Sequence, residues 1–478
     1  MTFEEVRDHP RARAYVLASA TLGAFTSTVM ATSVNVALPT LVTAFDAPFA
    51  LVQWVVLSYL LATASLLPIA GRLADMFGKR TLFLGGFATF GVGSLLCALA
   101  PGVVSLIMFR TVQGAASAVL TALGLAIIAD VFPAGERGRA IGVNGAVLSV
   151  GIVLGPTLGG FLVEVGWPWV FLFGVPVAAA GFLLGHRFVP RYAPAAPLPF
   201  DLAGAATLSS ALAALSLALT LGQGRGFADP VILALFAASA LALAGFTAIE
   251  RRATAPVVDL RMFGNRRLTV GLVAGVTVFV SIMGTIFVMP FYLENVLGFP
   301  PRTVGLLMSV TPILLVIIAP VAGTLADRYG ERPITVIGLT LALAGFALVA
   351  TLDQDTTALG FVLRFVLVGL GMGTFQTPNN SAIMGAAPQG RSGVAGGLLG
   401  LTRALGQTTG IAVLGSVWAA RTAVRAAAEV GAQAQAAPIT AQVGGLQDMM
   451  RLVLVLIALA LILCLWDLRG ERAAGSSR

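Results

Sequence analysis

Long apolar stretches separated by short polar segments run through the whole chain. Fourteen of them approach or exceed the length of about 20 residues that a helix needs to cross the hydrocarbon core of a membrane. The spans are predicted at 14–41, 50–73, 81–100, 103–130, 138–163, 168–189, 201–221, 230–249, 268–292, 303–326, 333–352, 357–384, 393–419 and 450–468. The pattern predicts an all-α integral membrane protein with fourteen transmembrane helices.

A polar motif between two of these spans occurs twice. The stretch GRLADMFGKR, which contains Asp75, returns as GTLADRYGER around Asp327, 252 residues later. Arg110, within an apolar span, is matched by Arg364, 254 residues later. Parallel internal repeats are one of the ways in which transporter folds are built, with the substrate site near the membrane midplane at the repeat interface. The sequence therefore predicts a duplicated membrane transporter.

The repeat distance is too long for six helices with short loops, because each helix needs only about 20 residues. Two further spans, after a proline-rich linker, account for the excess. We predict an N-terminal six-helix bundle at 1–190, a linker with two inserted helices at 191–262, and a C-terminal six-helix bundle at 263–478.

Composition and charge fix the solvent and the orientation. With 58% hydrophobic and 10% charged residues, the chain would expose too much apolar surface to be soluble in water, so lipid must surround it. Of 29 Lys and Arg residues, 21 fall on the side of the termini and five on the other side, which predicts cytoplasmic termini. The net charge of +8 then reflects loops that face anionic lipid, and nucleic acid is not expected as a partner.

Residues suited to catalysis, metal binding or nucleotide use are sparse. Cys97 and Cys464 lie inside apolar spans, where a thiol is usually a packing residue, and His9 and His186 are far apart in sequence. The chain has no GxxxxGK[ST] loop to cradle a nucleotide phosphate. We therefore expect no enzyme activity, no cofactor and no metal site.

Further motifs occur in a fixed order: NVALP, VQWVVLSYLLA, FRTVQG and GIVLGPTLGG. Together with the repeated loop motif, they resemble the major facilitator superfamily, specifically its fourteen-helix branch of drug:proton antiporters. The resemblance covers almost the whole chain. It implies that the loop motif is a conformational latch, that Arg110 serves proton coupling, and that the Gly-Pro helix marks exporters. The implied latch positions are Gly71, Asp75, Gly78, Lys79, Arg80, Asp327 and Arg328.

Asp130 and Glu164 end two predicted helices on opposite sides of the membrane. Asp130 either holds the inner surface shut by pairing with Lys79, Arg80 or Arg139, or is a solvated helix end. Glu164 is either an interfacial charge or a proton site that opens in the outward state.

Arginine inside a predicted span has a cost of at least ~2.5–3.5 kcal/mol unless it finds a partner or water, which makes a functional role the default. Arg110, Gln113 and Gly114 share one helical face, so a polar stripe is expected to face inward. A structural bond from Arg110 to a loop carbonyl is the alternative. Arg364 and Arg403 have no acid nearby in sequence, and either structural pairing or contact with an anionic substrate group fits them.

The glycines of GIVLGPTLGG, Gly151, Gly155 and Gly159, recur every four residues and predict a close helix contact. Pro156 removes one backbone hydrogen bond and permits a bend. The stretch fits either the movement of a transporter or static packing.

One position departs from the antiporter pattern. Met30 stands where close relatives in that branch have a helix 1 aspartate, and no other acid lies at mid-depth in a predicted span. Cationic substrates are therefore disfavoured, and neutral, zwitterionic or anionic lipophilic compounds fit the arginines better. Any coupled proton would have to use acids nearer the surfaces.

Small-molecule sites are mostly apolar with a few polar anchors. Depth and facing select the following residues for the substrate cavity, although each also fits core packing: Asn35, Gln53, Trp54, Tyr59, Gln113, Phe279, Phe287, Phe375, Gln376 and Asn379.

These observations predict a secondary exporter of hydrophobic small molecules, such as drugs or secondary metabolites, that uses proton antiport by alternating access. An uncoupled or differently coupled exporter of neutral or anionic lipophilic compounds or lipids is the alternative. The expected location is the bacterial cytoplasmic membrane. The expected partners are substrate, protons and lipid, and a monomer is compatible with the sequence.

Overall fold

Helices make up the computed structural model, which describes residues 6, 9–191, 202–252, 263–386, 392–427 and 437–475. No β-strand occurs in these ranges. Inside a lipid bilayer only helices and closed barrels satisfy every backbone polar group, so apolar sequence of this length folds as helix. The helices are α1 (Pro10–Ala44), α2 (Phe49–Phe77), α3 (Lys79–Ala98), α4 (Val103–Val131), α5 (Ala134–Val165), α6 (Trp167–Leu172), α7 (Gly174–Phe188), α8 (Leu202–Arg225), α9 (Pro230–Glu250), α10 (Arg266–Phe291) followed by a π-turn (Tyr292–Val296), α11 (Pro301–Met308), α12 (Val310–Tyr329), α13 (Glu331–Val349), α14 (Ala358–Gly385), α15 (Ser392–Ala427) and α16 (Ile439–Gly475).

The predicted spans each correspond to a helix or to a pair of consecutive helices. In the described ranges, twelve segments are long and apolar enough to cross a membrane. The pairs α6–α7 and α11–α12 each form one such segment. The remaining two predicted spans correspond to α8, whose apolar stretch Ala206–Gly222 is shorter, and to the more polar α15. The predicted all-α membrane fold with fourteen helices is confirmed.

The chain separates into two compact units. The first unit comprises Met1–Ala47, Leu51–Ser210 and Pro301–Gly305, and the second comprises Pro48–Ala50, Ala211–Pro300 and Leu306–Arg478. The predicted three-part division stays a prediction, because 192–201 and 253–262 of its middle segment lie outside the described residues.

The repeat in sequence is also a repeat in packing. In the first unit α5 packs on α1 so closely that a Cβ added to Gly159 would lie 2.5 Å from the Ser33 oxygen. In the second unit α15 packs on α10, and a Cβ added to Gly410 would lie 2.4 Å from the Val280 oxygen. Small residues let helix backbones approach in this way. The two glycines are 251 residues apart, so equivalent helix pairs use the same device.

Candidate functional site

The two copies of the loop motif make the same backbone turn. Gly78 connects α2 to α3 with φ 84°, and Gly330 connects α12 to α13 with φ 91°. Residues with a Cβ rarely adopt positive φ, whereas glycine does so readily. The last glycine of each motif is therefore required by the turn itself.

Charged groups tie the first loop motif to neighbouring helices. The Lys79 ammonium donates to Asp130 Oδ2 at 2.6 Å, and both side chains are half-buried. The Arg80 guanidinium donates to the backbone oxygen of His186 at the end of α7. Asp130 thus pairs with Lys79, one of the three cations predicted as its partners. Its role in a latch stays a prediction. Gly71 lies in α2, as does Asp75, whose side chain lies outside the described part of the structure.

In the second copy of the loop motif, two of the charged side chains are exposed. Asp327 and Arg328 are exposed at the end of α12, and the Arg328 guanidinium lies 5.4 Å from the centroid of the Tyr329 ring. Asp327 lines a cavity of about 730 Å³ inside the second unit. Neither side chain forms an ion pair with another residue in the part of the chain that the structure describes. Their assignment to a latch stays a prediction.

Arg110 is fully buried in the first unit and is held by neutral groups. Its Nε donates to the Val55 oxygen of α2 at 3.0 Å, and one Nη donates to Gln113 Oε1 at 2.5 Å. Gln113 extends this hydrogen-bond network to α3, because its Nε2 donates to Ser94 Oγ at 2.7 Å. The other Arg110 Nη has no hydrogen-bond partner among the described residues. The cluster therefore retains an unused cationic donor.

The Tyr59 ring forms one wall of this cluster. The Arg110 guanidinium lies 4.0 Å from its centroid, within the range of a cation–π interaction. The Tyr59 hydroxyl donates to the Ser27 oxygen at 2.8 Å and lies 2.8 Å from Ser117 Oγ. Tyr59 is thereby fixed between α1, α2 and α4. We name the set of Arg110, Gln113, Ser94 and Tyr59 the Arg110 cluster.

Met30 lies beside this cluster. The side chain is fully buried, and a Cβ added to Gly174 would lie 3.4 Å from the Met30 sulfur and 2.7 Å from Ser94 Oγ. Met30 and Ser94 thus face the same point on α7. Helix 1 contributes a thioether here, which brings no charge to the cluster.

The Gly-Pro stretch of α5 faces α1. A Cβ added to Gly151 would lie 3.2 Å from the Thr28 Cβ, and one added to Gly155 would overlap the Thr32 hydroxyl. Pro156 lies inside the helix and is buried, and its backbone oxygen would overlap a Cβ added to Gly305. The predicted close contact is present, and its use as a moving joint stays a prediction.

Glu164 lies one residue before the end of α5. Its Oε1 is 3.6 Å from Nε of Arg302, and the Glu164 side chain is 33% exposed while that of Arg302 is 60% exposed. An exposed pair of this kind contributes about 0–1 kcal/mol. The role of Glu164, as an interfacial charge or as a proton site that opens in the outward state, stays a prediction.

The two second-half arginines differ in their surroundings. The Arg364 side chain extends toward the N-terminal end of α14. Its Nε donates to Thr351 Oγ1 at 3.2 Å, and one Nη donates to the Gly360 oxygen at 2.9 Å. Arg403 lies in α15 with an exposed side chain, and its guanidinium is 5.7 Å from the Phe279 ring centroid. No carboxylate in the described ranges pairs with Arg403.

Asn379 lines the 730 Å³ cavity of the second unit, and its Nδ2 donates to the Gly271 oxygen of α10 at 3.1 Å. Phe287 is buried and packs edge-on against Phe49, with ring centroids 5.5 Å apart. Phe375 is buried with its backbone against Gly338. The other predicted cavity residues are either buried, as for Asn35 and Gln53, or half-buried, as for Trp54, Phe279 and Gln376. Assignment of these residues to a substrate cavity stays a prediction.

A sequence model of the Major Facilitator Superfamily matches residues 20–411, which is most of the chain. The chain belongs to this family. It is therefore a multi-pass membrane transporter, and its relatives in this family include proteins named for multidrug resistance and antibiotic export.

Three relatives illustrate the range of this superfamily. The chain is 35% identical over 431 residues to the tetracenomycin C resistance and export protein of Streptomyces glaucescens, covering 87% of this chain and 80% of that protein. It is 33% identical over 409 residues to the riboflavin transporter RibZ of Clostridioides difficile, covering 83% and 86%. It is 34% identical over 412 residues to the multidrug resistance protein Stp of Mycobacterium tuberculosis, covering 86% and 76%.

Solved structures agree on the facilitator fold. The TM-score is 0.68 with the POT family transporter PepTSo, at 16% identity, covering 97% of this chain and 99% of that chain. It is 0.67 with a bacterial homolog of the human lysosomal transporter Spinster, at 18% identity, covering 95% and 97%. At these identities the likeness concerns the fold alone.

Two acids of this facilitator-superfamily transporter were missed by the sequence analysis. Asp467 is buried in α16 and accepts from Arg266 at 3.2 Å and from Arg332 at 3.0 Å, so it joins α10, α13 and α16. The sequence signal for it is an acid at the C-terminal end of the last predicted span, 450–468. Glu294 lies beyond the predicted span 268–292, but the structure continues α10 through the π-turn to Val296.

Proposed function

We propose that this transporter exports hydrophobic small molecules, such as drugs or secondary metabolites, across the bacterial cytoplasmic membrane in exchange for protons. The two bundles are proposed to alternate access between the two sides, with both termini in the cytoplasm. The resistance and export functions in the names of relatives support the direction and the cargo. A riboflavin transporter among the relatives indicates that other cargo is compatible with this sequence family.

The observation that carries the proposal is the Arg110 cluster. A fully buried arginine in a membrane helix is costly, and this one is surrounded by neutral partners with one Nη group left unused. Such a cation responds to any charge or dipole brought near it, because low local dielectric strengthens the interaction. We assign Arg110 the coupling role, with Gln113 and Tyr59 holding its orientation.

The Lys79–Asp130 pair is proposed as part of a cytoplasmic latch. Its N–O distance is 2.6 Å, and it joins the start of α3 to the end of α4. A half-buried pair is weak enough to break during a transport cycle, since such pairs contribute about 1 kcal/mol or less. Asp75, Asp327 and Arg328 are proposed to belong to the same device.

Transport by purified protein in liposomes tests the proposal. With an acidic lumen and inside-out orientation, we expect lipophilic compounds to accumulate in the lumen and the lumen to lose protons at the same time. Arg110→Ala should abolish both movements. Arg225→Ala is the matched control, because Arg225 ends α8 at the surface. Compound movement without any proton movement would reject antiport.

An uncoupled exporter of neutral or anionic lipophilic compounds is the second candidate, and two observations favour it. Met30 brings no charge to the Arg110 cluster, and the Arg403 guanidinium lies 5.7 Å from the centroid of the Phe279 ring with no carboxylate partner among the described residues. A cation next to an aromatic ring suits a lipophilic anion. Measuring proton movement together with the movement of cationic, neutral and anionic compounds of similar size in the same liposomes separates the two candidates, because only antiport moves protons with the compound.

A further inference from the structure

The outer end of α10 departs from regular α-helix. After Phe291 the chain forms the π-turn Tyr292–Val296, in which the Leu297 amide donates to the Tyr292 oxygen at 3.2 Å. Single π-turns inside α-helices occur frequently at functional sites. The chain then closes with the Gly298 amide on the Glu294 oxygen at 3.1 Å. The π-turn is therefore an irregularity at the end of one membrane-crossing segment, Arg266–Val296.

Glu294 is the acid of this turn. Its Oε1 is buried and has no hydrogen-bond partner among the described residues, while the side chain as a whole is half-buried. Tyr292, Leu293 and Val296 around it in the turn are buried. An isolated carboxylate is costly to remove from water, and acids within membrane segments are functional-site candidates by default, proton relays among them. One oxygen is thus sealed while the rest of the side chain reaches the surface.

The charged groups near this turn have other partners. On α16, which packs against the turn, Asp448 accepts from Arg425 at 2.9 Å and from Arg451 at 2.8 Å. The Tyr292 hydroxyl donates to the backbone oxygen of Asp353 at 2.6 Å, and the Asp353 carboxylate accepts from its own loop.

Arg364 bonds Thr351 and Gly360, as described above. Within the described ranges, no cation pairs with Glu294. Its charge is therefore left without compensation.

We propose that Glu294 is the group that binds the transported proton, taking it up from the outer side in place of the missing helix 1 acid. The inference rests on the proposed proton-coupled export and names the residue that carries the proton, while Arg110 keeps its proposed coupling role. Water on the outer side supplies the proton, a Glu294 O–H bond forms, and the same bond breaks when the proton returns to water. No other reactant is needed.

The π-turn supplies a means of changing the exposure of this acid. A π-turn contains about one residue more than an α-turn, so its conversion to α geometry changes the direction of the side chains in and beyond the turn, Glu294 included, by up to about 100°. A neutral, protonated Glu294 is compatible with its sealed oxygen. Rotation that brings the carboxyl to water favours its release of the proton, since hydration stabilises the charged form.

Infrared spectroscopy of the wild-type protein in lipid tests proton binding directly. We expect a protonated-carboxyl band at neutral pH that disappears as the pH is raised. Glu294→Gln should lack this band, because the amide has nearly the same shape and cannot titrate. The matched control Glu164→Gln should keep it, since Glu164 lies at an exposed helix end beside Arg302. Persistence of the band in Glu294→Gln, or its absence from wild type, overturns the proposal.

Transport assays separate this inference from the proposed function. In Glu294→Gln, accumulation driven by a proton gradient should be lost, while exchange of compound between compartments of equal pH should remain, which also shows that the variant is folded. Glu294→Asp should keep coupling. If wild type and Glu294→Gln both couple, the Glu294 inference fails and the proposed function stands. If wild type shows no coupling, both fail together.

Discussion

Gly114 is the point at which α4 contacts the backbone of α2, and replacing it by alanine tests the packing of these two helices. An added Cβ would lie 2.4 Å from the Tyr59 oxygen and 2.9 Å from the Tyr59 Cα. Both are backbone atoms, so no side-chain rotation relieves the overlap. The two helices must separate, and Tyr59 carries with it the ring that faces Arg110.

The magnitude follows from two opposing terms. Non-bonded carbon atoms prefer separations of about 3.5–4.0 Å, so the overlap with the oxygen is roughly 1 Å. Overpacking of this kind has a cost of about 1–3 kcal/mol, and the upper part of that range applies when backbone must move. Replacing glycine by alanine in a helix offsets about 0.5–1 kcal/mol. The net expectation for Gly114→Ala is a free energy of unfolding lower by about 2 kcal/mol.

Denaturant unfolding of the protein in lipid–detergent mixtures measures this change. Gly85→Ala is the matched control, because Gly85 also lies in a membrane helix of the first unit but has no atom within 4 Å of an added Cβ. The control should be unchanged or slightly more stable. If Gly114→Ala is as stable as Gly85→Ala, the close α2–α4 contact described here is wrong.

Three further perturbations test other parts of the account. Asp467→Asn removes the buried carboxylate that Arg332 contacts at 3.0 Å and should lower the free energy of unfolding by about 3 kcal/mol; an effect below that of a surface Asp→Asn change contradicts the buried network. A double-mutant cycle on Lys79 and Asp130 should give a coupling energy of about 1 kcal/mol in the described conformation, and zero coupling contradicts the contact. Met30→Asp should extend transport to cationic compounds, because it places an acid beside the Arg110 cluster, while Met30→Asn, which has the shape of aspartate without its charge, should not; equal transport of cationic compounds by both variants refutes the charge argument.

The fold follows from the sequence because lipid leaves a long apolar segment few alternatives to helix. The duplication was visible because turn chemistry constrains residue identity: Gly78 and Gly330 both adopt positive φ, so the motif persists at the same register in both copies. The span around Glu294 was cut short for an equally physical reason. A π-turn interrupts the regular rotation of the helix, and no residue pattern in the sequence predicts where one occurs.

The candidate site was only partly accessible to sequence reasoning. Arg110 and Gln113 stood out because polar residues on one face of an apolar helix need partners. Ser94 did not, since its role depends on α3 lying against α4, which is a tertiary fact. Met30 was recognised as a departure from a pattern, yet its position next to Ser94 required coordinates. Asp467 at a helix end resembled an ordinary interfacial charge until the structure brought Arg266 and Arg332 to it.

The central claim is that compound movement and proton movement are one coupled process. Coupling is reciprocal in free energy, so a compound gradient alone must drive protons. Liposomes with equal pH on both sides and a compound gradient imposed across wild-type protein should develop a pH difference, and Arg110→Ala liposomes should not. A compound gradient that dissipates through wild-type protein with no change of lumenal pH would contradict the account.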